Sequence, residues 1–155
     1  MAKGFQDFWG ANLVDIFQQT TPYLAQIAYS GITDFTETII EDLSGEILAI
    51  KVTGKGIIKG GVIEVTDTTD LLVNKVQLGV DGALTMPYTF ADFLDKNLSM
   101  AGAWVLYGIK CDVVNKKGLV GITPNIRFDS EFLIHIATPS GHTTDWIVRL
   151  MAGVY

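Results

Sequence analysis

The sequence predicts a mainly β protein, an antiparallel two-sheet sandwich behind an N-terminal helical arm, and three observations lead there. Apolar and polar residues alternate at period two through most of residues 36–155, which is the pattern of half-buried strands. Turn-forming residues, among them Ser44-Gly45, Gly54-Lys55-Gly56, Asp81-Gly82 and Pro139-Ser140-Gly141-His142, divide that stretch at short intervals. Only the first thirty residues hold a 3.6-residue period over any length.

In chain order, Phe5, Phe8, Trp9, Leu13, Ile16 and Phe17 fall on one helical face, with Gln6, Asp7, Asn12, Asp15 and Gln19 elsewhere. Thr21-Pro22 reads as an N-cap and first-turn pair, so Tyr23 to Tyr29 is expected as a second short helix, ended by Ser30-Gly31. Residues 1–31 are thus predicted as an arm and residues 32–155 as the sandwich domain. Strands are then expected over Thr36–Leu43, Glu46–Thr53 and Ile57–Val65, with Gly60-Gly61 as a bulge or close backbone approach. Leu71–Val80 and Leu84–Phe90 flank Asp81-Gly82, a pair that tolerates positive φ in a two-residue turn. Phe90, Phe93 and Leu94 are spaced for a short helix over Phe90–Asn97. Ala103–Val114 alternates with Val105, Tyr107, Ile109, Cys111 and Val113 on its apolar parity, turns at Asn115 to Gly118, and pairs back through Leu119–Thr123.

The strongest β signal is C-terminal. In Ile126–Ala137, Ile126, Phe128, Phe132, Ile134 and Ile136 share one parity, against Arg127, Asp129, Glu131 and His135. Thr143–Tyr155 continues with Trp146, Val148, Leu150, Ala152 and Val154 in one phase, and the two runs read as a long hairpin. Eight or nine short strands at regular spacing suggest a jelly-roll type of sandwich built from consecutive hairpins.

A chain of 155 residues is about one domain and buries a sizeable core without metal or disulfide. Hydrophobic residues make up 48% and charged ones only 18%, less polar surface than a solitary monomer usually carries, so apolar surface is expected to be buried between copies. A net charge of −6 with scattered lysines disfavours nucleic acid. A single cysteine, Cys111, precludes an internal disulfide, and it is expected as an inert buried thiol. No secretion signal is recognisable, and Gln18, Gln19 and Pro22 interrupt the uncharged stretch after Ile16, so no membrane span is expected.

Chemistry-bearing patterns are sparse. Gly54 to Gly61 meets neither phosphate-loop spacing, and no helix follows it. Ser140, His142 and Asp145 contain the residue types of a hydrolase triad, but a six-residue turn gives no reason for triad geometry. His135 sits on a polar parity suited to a cross-strand ionic link, and Asp67, Asp70 and the threonines between them lack the glycine-centred loop of a calcium site. Asn97-Leu98-Ser99 matches the glycosylation pattern without a secretory context. No catalytic, cofactor-binding or metal-binding residue is assigned; no cofactor and no enzymatic activity are expected. Trp104, Trp146 and Tyr155 are the candidate ligand contacts, since a flat ring matches the apolar face of a sugar, with core packing as the alternative for both tryptophans.

The helical arm, the hairpin-rich β domain and words such as Leu71 to Gly82 (LLVNKVQLGVDG) and Gly121 to Ile136 (GITPNIRFDSEFLIHI) resemble small virion proteins of bacterial and archaeal viruses. The likeness is to the β-sandwich capsid, decoration and spike type. It implies a structural protein, located in the virion or otherwise in the cytoplasm, whose partners are copies of itself, other virion proteins or a host surface glycan. The arm residues Phe5, Phe8, Trp9, Leu13, Phe17 and Tyr23 are then expected to dock on a neighbouring copy. A lectin-like carbohydrate-binding module is the alternative.

Overall fold

A computed structural model describes residues 33–99 and 104–154; the helical arm expected over 1–31, and Tyr155, lie outside the described residues. Among the described residues, eleven strands form two antiparallel sheets. In chain order they are β1 (Thr33–Leu43), β2 (Gly45–Thr53), β3 (Gly56–Asp67), β4 (Lys75–Val80), β5 (Ala83–Leu84), β6 (Tyr88–Thr89), β7 (Leu106–Asp112), β8 (Lys117–Ile122), β9 (Ile126–Phe128), β10 (Glu131–Thr138) and β11 (Thr144–Val154). A 3-10 turn (Leu71–Val73) precedes β4, and one helix, α1 (Phe90–Asp95), follows β6. The first sheet runs β1-β11-β3-β8-β7, with β9 also on β3; the second runs β2-β10-β4-β5, with β6 also on β4.

The pairs nest: β1 with β11, β2 with β10, β3 with β8, β4 with β5. Outer pairs bracket inner ones along the sequence, so the chain wraps around the core between the two sheets, the layout of a jelly roll. This nesting corrects the expected run of consecutive hairpins. Among the described residues, only Asp81-Gly82 (β4–β5) and the turn after Asp112 (β7–β8) join paired strands of one sheet. Ser44, Gly54-Lys55 and residues 139–143 instead carry the chain from one sheet to the other. The C-terminal runs are therefore not a hairpin: β10 and β11 lie in opposite sheets, and their apolar parities meet across the core. Alternation specifies which face of a strand is buried, but not which strand lies beside it.

The expected single strand over Ile126–Ala137 is also divided. β9 belongs to the first sheet and β10 to the second, with Asp129-Ser130 as the crossing. Asp81, at φ 51° in the β4–β5 turn, holds that crossing: its carboxylate accepts from the N–H groups of Asp129, Ser130 and Glu131 at 2.6–3.2 Å, and from Ser130 Oγ at 2.9 Å. Backbone donors from Asp129 and Ser130 pull its pKa down to about 2. Likewise the expected Leu71–Val80 strand begins as a 3-10 turn, because Asp70 caps it through Leu72 N–H, and Leu84–Phe90 splits into two short strands.

The core fills with Ile63, Val65, Trp146, Val148 and Leu150 from one sheet and Val76, Leu78, Phe132, Ile134 and Ile136 from the other, all at 0–1% exposure. The helix α1 closes one end. Thr89 and Asp92 form a reciprocal capping box that starts it, and Phe90 and Phe93 enter the core, Phe90 at 6.3 Å from the Trp146 ring. Gly118 is required there, since a Cβ at that position would collide with the Phe90 ring. The bulge predicted at Gly60-Gly61 is present: β3 slips by one residue against Met151/Ala152, with Gly60 at φ 146°. A second bulge, between Gly108 and Lys110 in β7, changes the expected parity. Leu106 faces the core, Ile109 is exposed, and Cys111 is half-buried rather than fully buried, its thiol pushed up by burial and by the neighbouring Asp112 charge.

Candidate functional site

The hydrolase-like trio does not assemble. Asp145 accepts from Asp42 N–H at 3.1 Å, whereas His142 Nδ1 lies 3.4 Å from Asp67, and Ser140 is an exposed turn residue. Asp67 is the hub of this end. Its carboxylate accepts from Thr69 N–H (2.6 Å), Asp70 N–H (3.2 Å) and Asn74 Nδ2 (2.5 Å). Burial raises the Asp67 carboxyl, but these donors together with His142 outweigh it and hold the group below the ordinary range. Its acceptor positions are spent on the chain's own loop, which is the arrangement of a structural carboxylate. Among the described residues no group of three or more His, Cys, Asp or Glu is placed to hold a metal ion. His135 makes the expected cross-strand link, to Glu46 at 3.7 Å, and Lys51 adds another to Glu131 at 2.9 Å.

The candidate aromatics separate sharply. Trp146 has no exposed surface; its indole N–H donates to Thr144 Oγ1 (2.7 Å) and Thr138 Oγ1 (3.2 Å), so the core alternative applies to it. Trp104 is 46% exposed and borders a cavity of about 380 Å³ with Met86, Tyr88, Asp92 and Lys96. Tyr155 and the arm residues Phe5, Phe8, Trp9, Leu13, Phe17 and Tyr23 lie outside the described residues. Asn97 of the glycosylation pattern sits in a turn at φ 50°, accepting from Ser99 Oγ at 3.3 Å.

A feature that alternation alone did not reveal is the pair of open edges on the first sheet. Among the described residues β1 pairs only with β11, and β7 only with β8. On β1, Thr36, Thr38 and Ile40 stand opposite the buried Leu150, Val148 and Trp146, which turns Phe35, Glu37 and Ile39 to the outer face. Phe35 and Ile39 are each 61% exposed, and Phe35 borders a groove of about 340 Å³ with Gly60, Val62, Arg149 and Met151. Arg149 bridges Glu37 at 2.5 Å and Glu64 at 3.6 Å across three strands. The β7 edge exposes Ile109 beside Lys110, and the turn that follows it exposes Val113 and Val114. The β1 edge is acidic, through Glu37, Glu41 and Asp42; at β7 Lys110 is bridged to Asp112 at 3.6 Å, and the basic excess comes from Lys116 and Lys117 in the following turn and at the start of β8.

No helix among the described residues is long and apolar enough to cross a membrane. No model of a known protein family matches the chain, and no curated protein matches it.

Proposed function

We propose that this protein is a non-enzymatic structural protein that assembles with copies of itself, a capsid, decoration or spike component of a virion. The observation that carries the reading is the pair of edges on one sheet that are unpaired among the described residues, with exposed apolar side chains at both and opposite charge beside them. An exposed eleven-residue edge strand bearing Phe35 and Ile39 is longer and more apolar than the shortened or covered edges of monomeric β proteins. An acidic apolar edge meeting a basic apolar edge makes a head-to-tail contact, which closes into a ring or extends into a filament. The β7 bulge at Ile109 interrupts that edge as a hydrogen-bonding template, so side chains carry the contact rather than a continuous ladder. A jelly-roll sandwich hosts many functions; the virion assignment rests on the likeness of layout in the sequence and on this predisposition to assemble.

Sedimentation velocity on the full chain, with negative-stain microscopy of the same sample, tests the reading. Discrete oligomers or regular particles are expected, and removal of residues 1–31 is expected to lower the oligomeric order while the sandwich stays folded. A monomer at every concentration refutes self-assembly.

A further inference from the structure

Trp104 is an anomaly for a core-forming β protein. Large aromatics are the most costly side chains to leave in water, yet this one is 46% exposed beside Met86, itself 77% exposed. Its backbone is nonetheless fixed: Thr123 Oγ1 donates to the Trp104 carbonyl, and Thr123 N–H donates to Val105 O at 3.0 Å. The ring is thus carried on the end of the first sheet next to a cavity of about 380 Å³ whose walls are of two kinds. Met86, Tyr88 and Trp104 supply the apolar wall. Tyr88 is held by stacking on the buried Phe93 at 6.0 Å. Asp92 and Lys96, one turn apart on and just after α1, supply the polar wall, joined at 2.8 Å.

That polar wall is preorganised. Thr89 N–H and Thr89 Oγ1 both donate to Asp92 Oδ2 at 2.8 Å, so the capping box that starts the helix also locks the carboxylate. A carboxylate has about four acceptor positions and an ammonium three donors. Among the described residues, Thr89 takes two positions on Oδ2 and Lys96 one on Oδ1. An acceptor on Asp92 Oδ1 and donors on Lys96 remain side by side, facing the same cavity as the tryptophan.

We propose that this cleft binds a neutral hexopyranose unit of a glycan. A pyranose ring has one face of C–H groups and a rim of hydroxyls that are both donors and acceptors. The C–H face stacks on Trp104, and adjacent hydroxyls donate to Asp92 and accept from Lys96. The net charge of the pair is zero, which suits a neutral sugar over an acidic one. The site adjoins the start of β7, and its walls come from Met86, Tyr88, Asp92, Lys96 and Trp104 of a single chain.

The test is isothermal titration calorimetry of the full chain with the methyl pyranosides of galactose, glucose, mannose and N-acetylglucosamine, and with N-acetylneuraminic acid as the acidic probe. A saturable isotherm with at least one neutral pyranoside is expected. Trp104→Ala should weaken it by about tenfold or more and Trp104→Phe by less, since a smaller ring still stacks. Lys96→Met should also weaken binding. Unaltered thermal melting of each variant shows that folding is not at issue. No saturable response to any neutral pyranoside, binding of the acidic sugar alone, or full binding by Trp104→Ala would each overturn the proposal.

Discussion

Truncation of Phe132 to alanine tests the assignment of strand faces on which the whole sandwich depends. Phe132 has no exposed surface; it stands between Val52 of β2 and Val80 of β4, with its ring 6.2 Å from that of Phe128. Because β10 is hydrogen-bonded on both sides, the backbone there cannot settle into the space left by the ring. The loss therefore combines transfer and cavity contributions, about 3–5 kcal/mol, a large share of the roughly 5–15 kcal/mol that holds a domain together. With an m-value of about 2 kcal/mol per molar urea, the unfolding midpoint moves by about 2 M. Glu131→Ala, one residue earlier and on the other parity, removes only the partly exposed bridge to Lys51 and should cost about 0.5 kcal/mol. Urea titrations followed by the fluorescence of the buried Trp146 measure both. Equal losses would refute the assignment of inner and outer faces.

Gly118→Ala should destabilise by about 1–3 kcal/mol, because the new methyl meets the buried Phe90 ring. Gly121→Ala should cost less, since it meets only the tip of the half-exposed Tyr107 ring on the outer face; a larger loss at 121 in urea titration would contradict this. Asp81 gives a pH signature. Its pKa is depressed to about 2 in the fold, so its contribution is complete above the unfolded value of about 4 and is lost as pH falls from about 4 to about 2. Melting temperatures from pH 5 to pH 2 should fall more steeply for the native protein than for Asp81→Asn, and parallel slopes would contradict the role given to that carboxylate. Far-ultraviolet circular dichroism should be dominated by β signal, as two sheets and one six-residue helix among the described residues require; a helix-dominated spectrum would contradict it.

What the sequence made legible was facing, not adjacency. Phe132, Ile134 and Ile136, and Val148 and Leu150, are inward by their parity and buried, and Trp146, in the same phase but a candidate ligand contact, is buried with them. The Asp81-Gly82 hairpin and the Gly60 bulge were readable because positive φ confines the choice of residues. Strand adjacency was not readable, since Ser44-Gly45 serves a crossing between sheets as well as it serves a hairpin. The break at Asp129-Ser130 is set by Asp81, some fifty residues distant, so no local window contains its cause. The β7 bulge at Ile109 similarly reversed a parity that the alternation continued unbroken. At the candidate sites, Trp104 and Trp146 have comparable apolar neighbours in sequence. What separates them is position: Trp146 is on a strand paired on both sides, and Trp104 lies at a sheet margin.

The most direct test of assembly through the two open edges uses one variant blocked at each. Phe35→Lys with Ile39→Lys spoils the β1 edge and leaves β7 intact; Ile109→Glu with Val114→Glu spoils the β7 edge together with the turn that follows it and leaves β1 intact. All four positions are exposed, so neither variant loses core. In sedimentation velocity, the native chain should form oligomers, each variant alone should be monomeric, and an equimolar mixture should stop at a dimer, since it has just one compatible pair of edges. A native chain that sediments as a monomer, or variants that assemble as the native chain does, would contradict head-to-tail assembly.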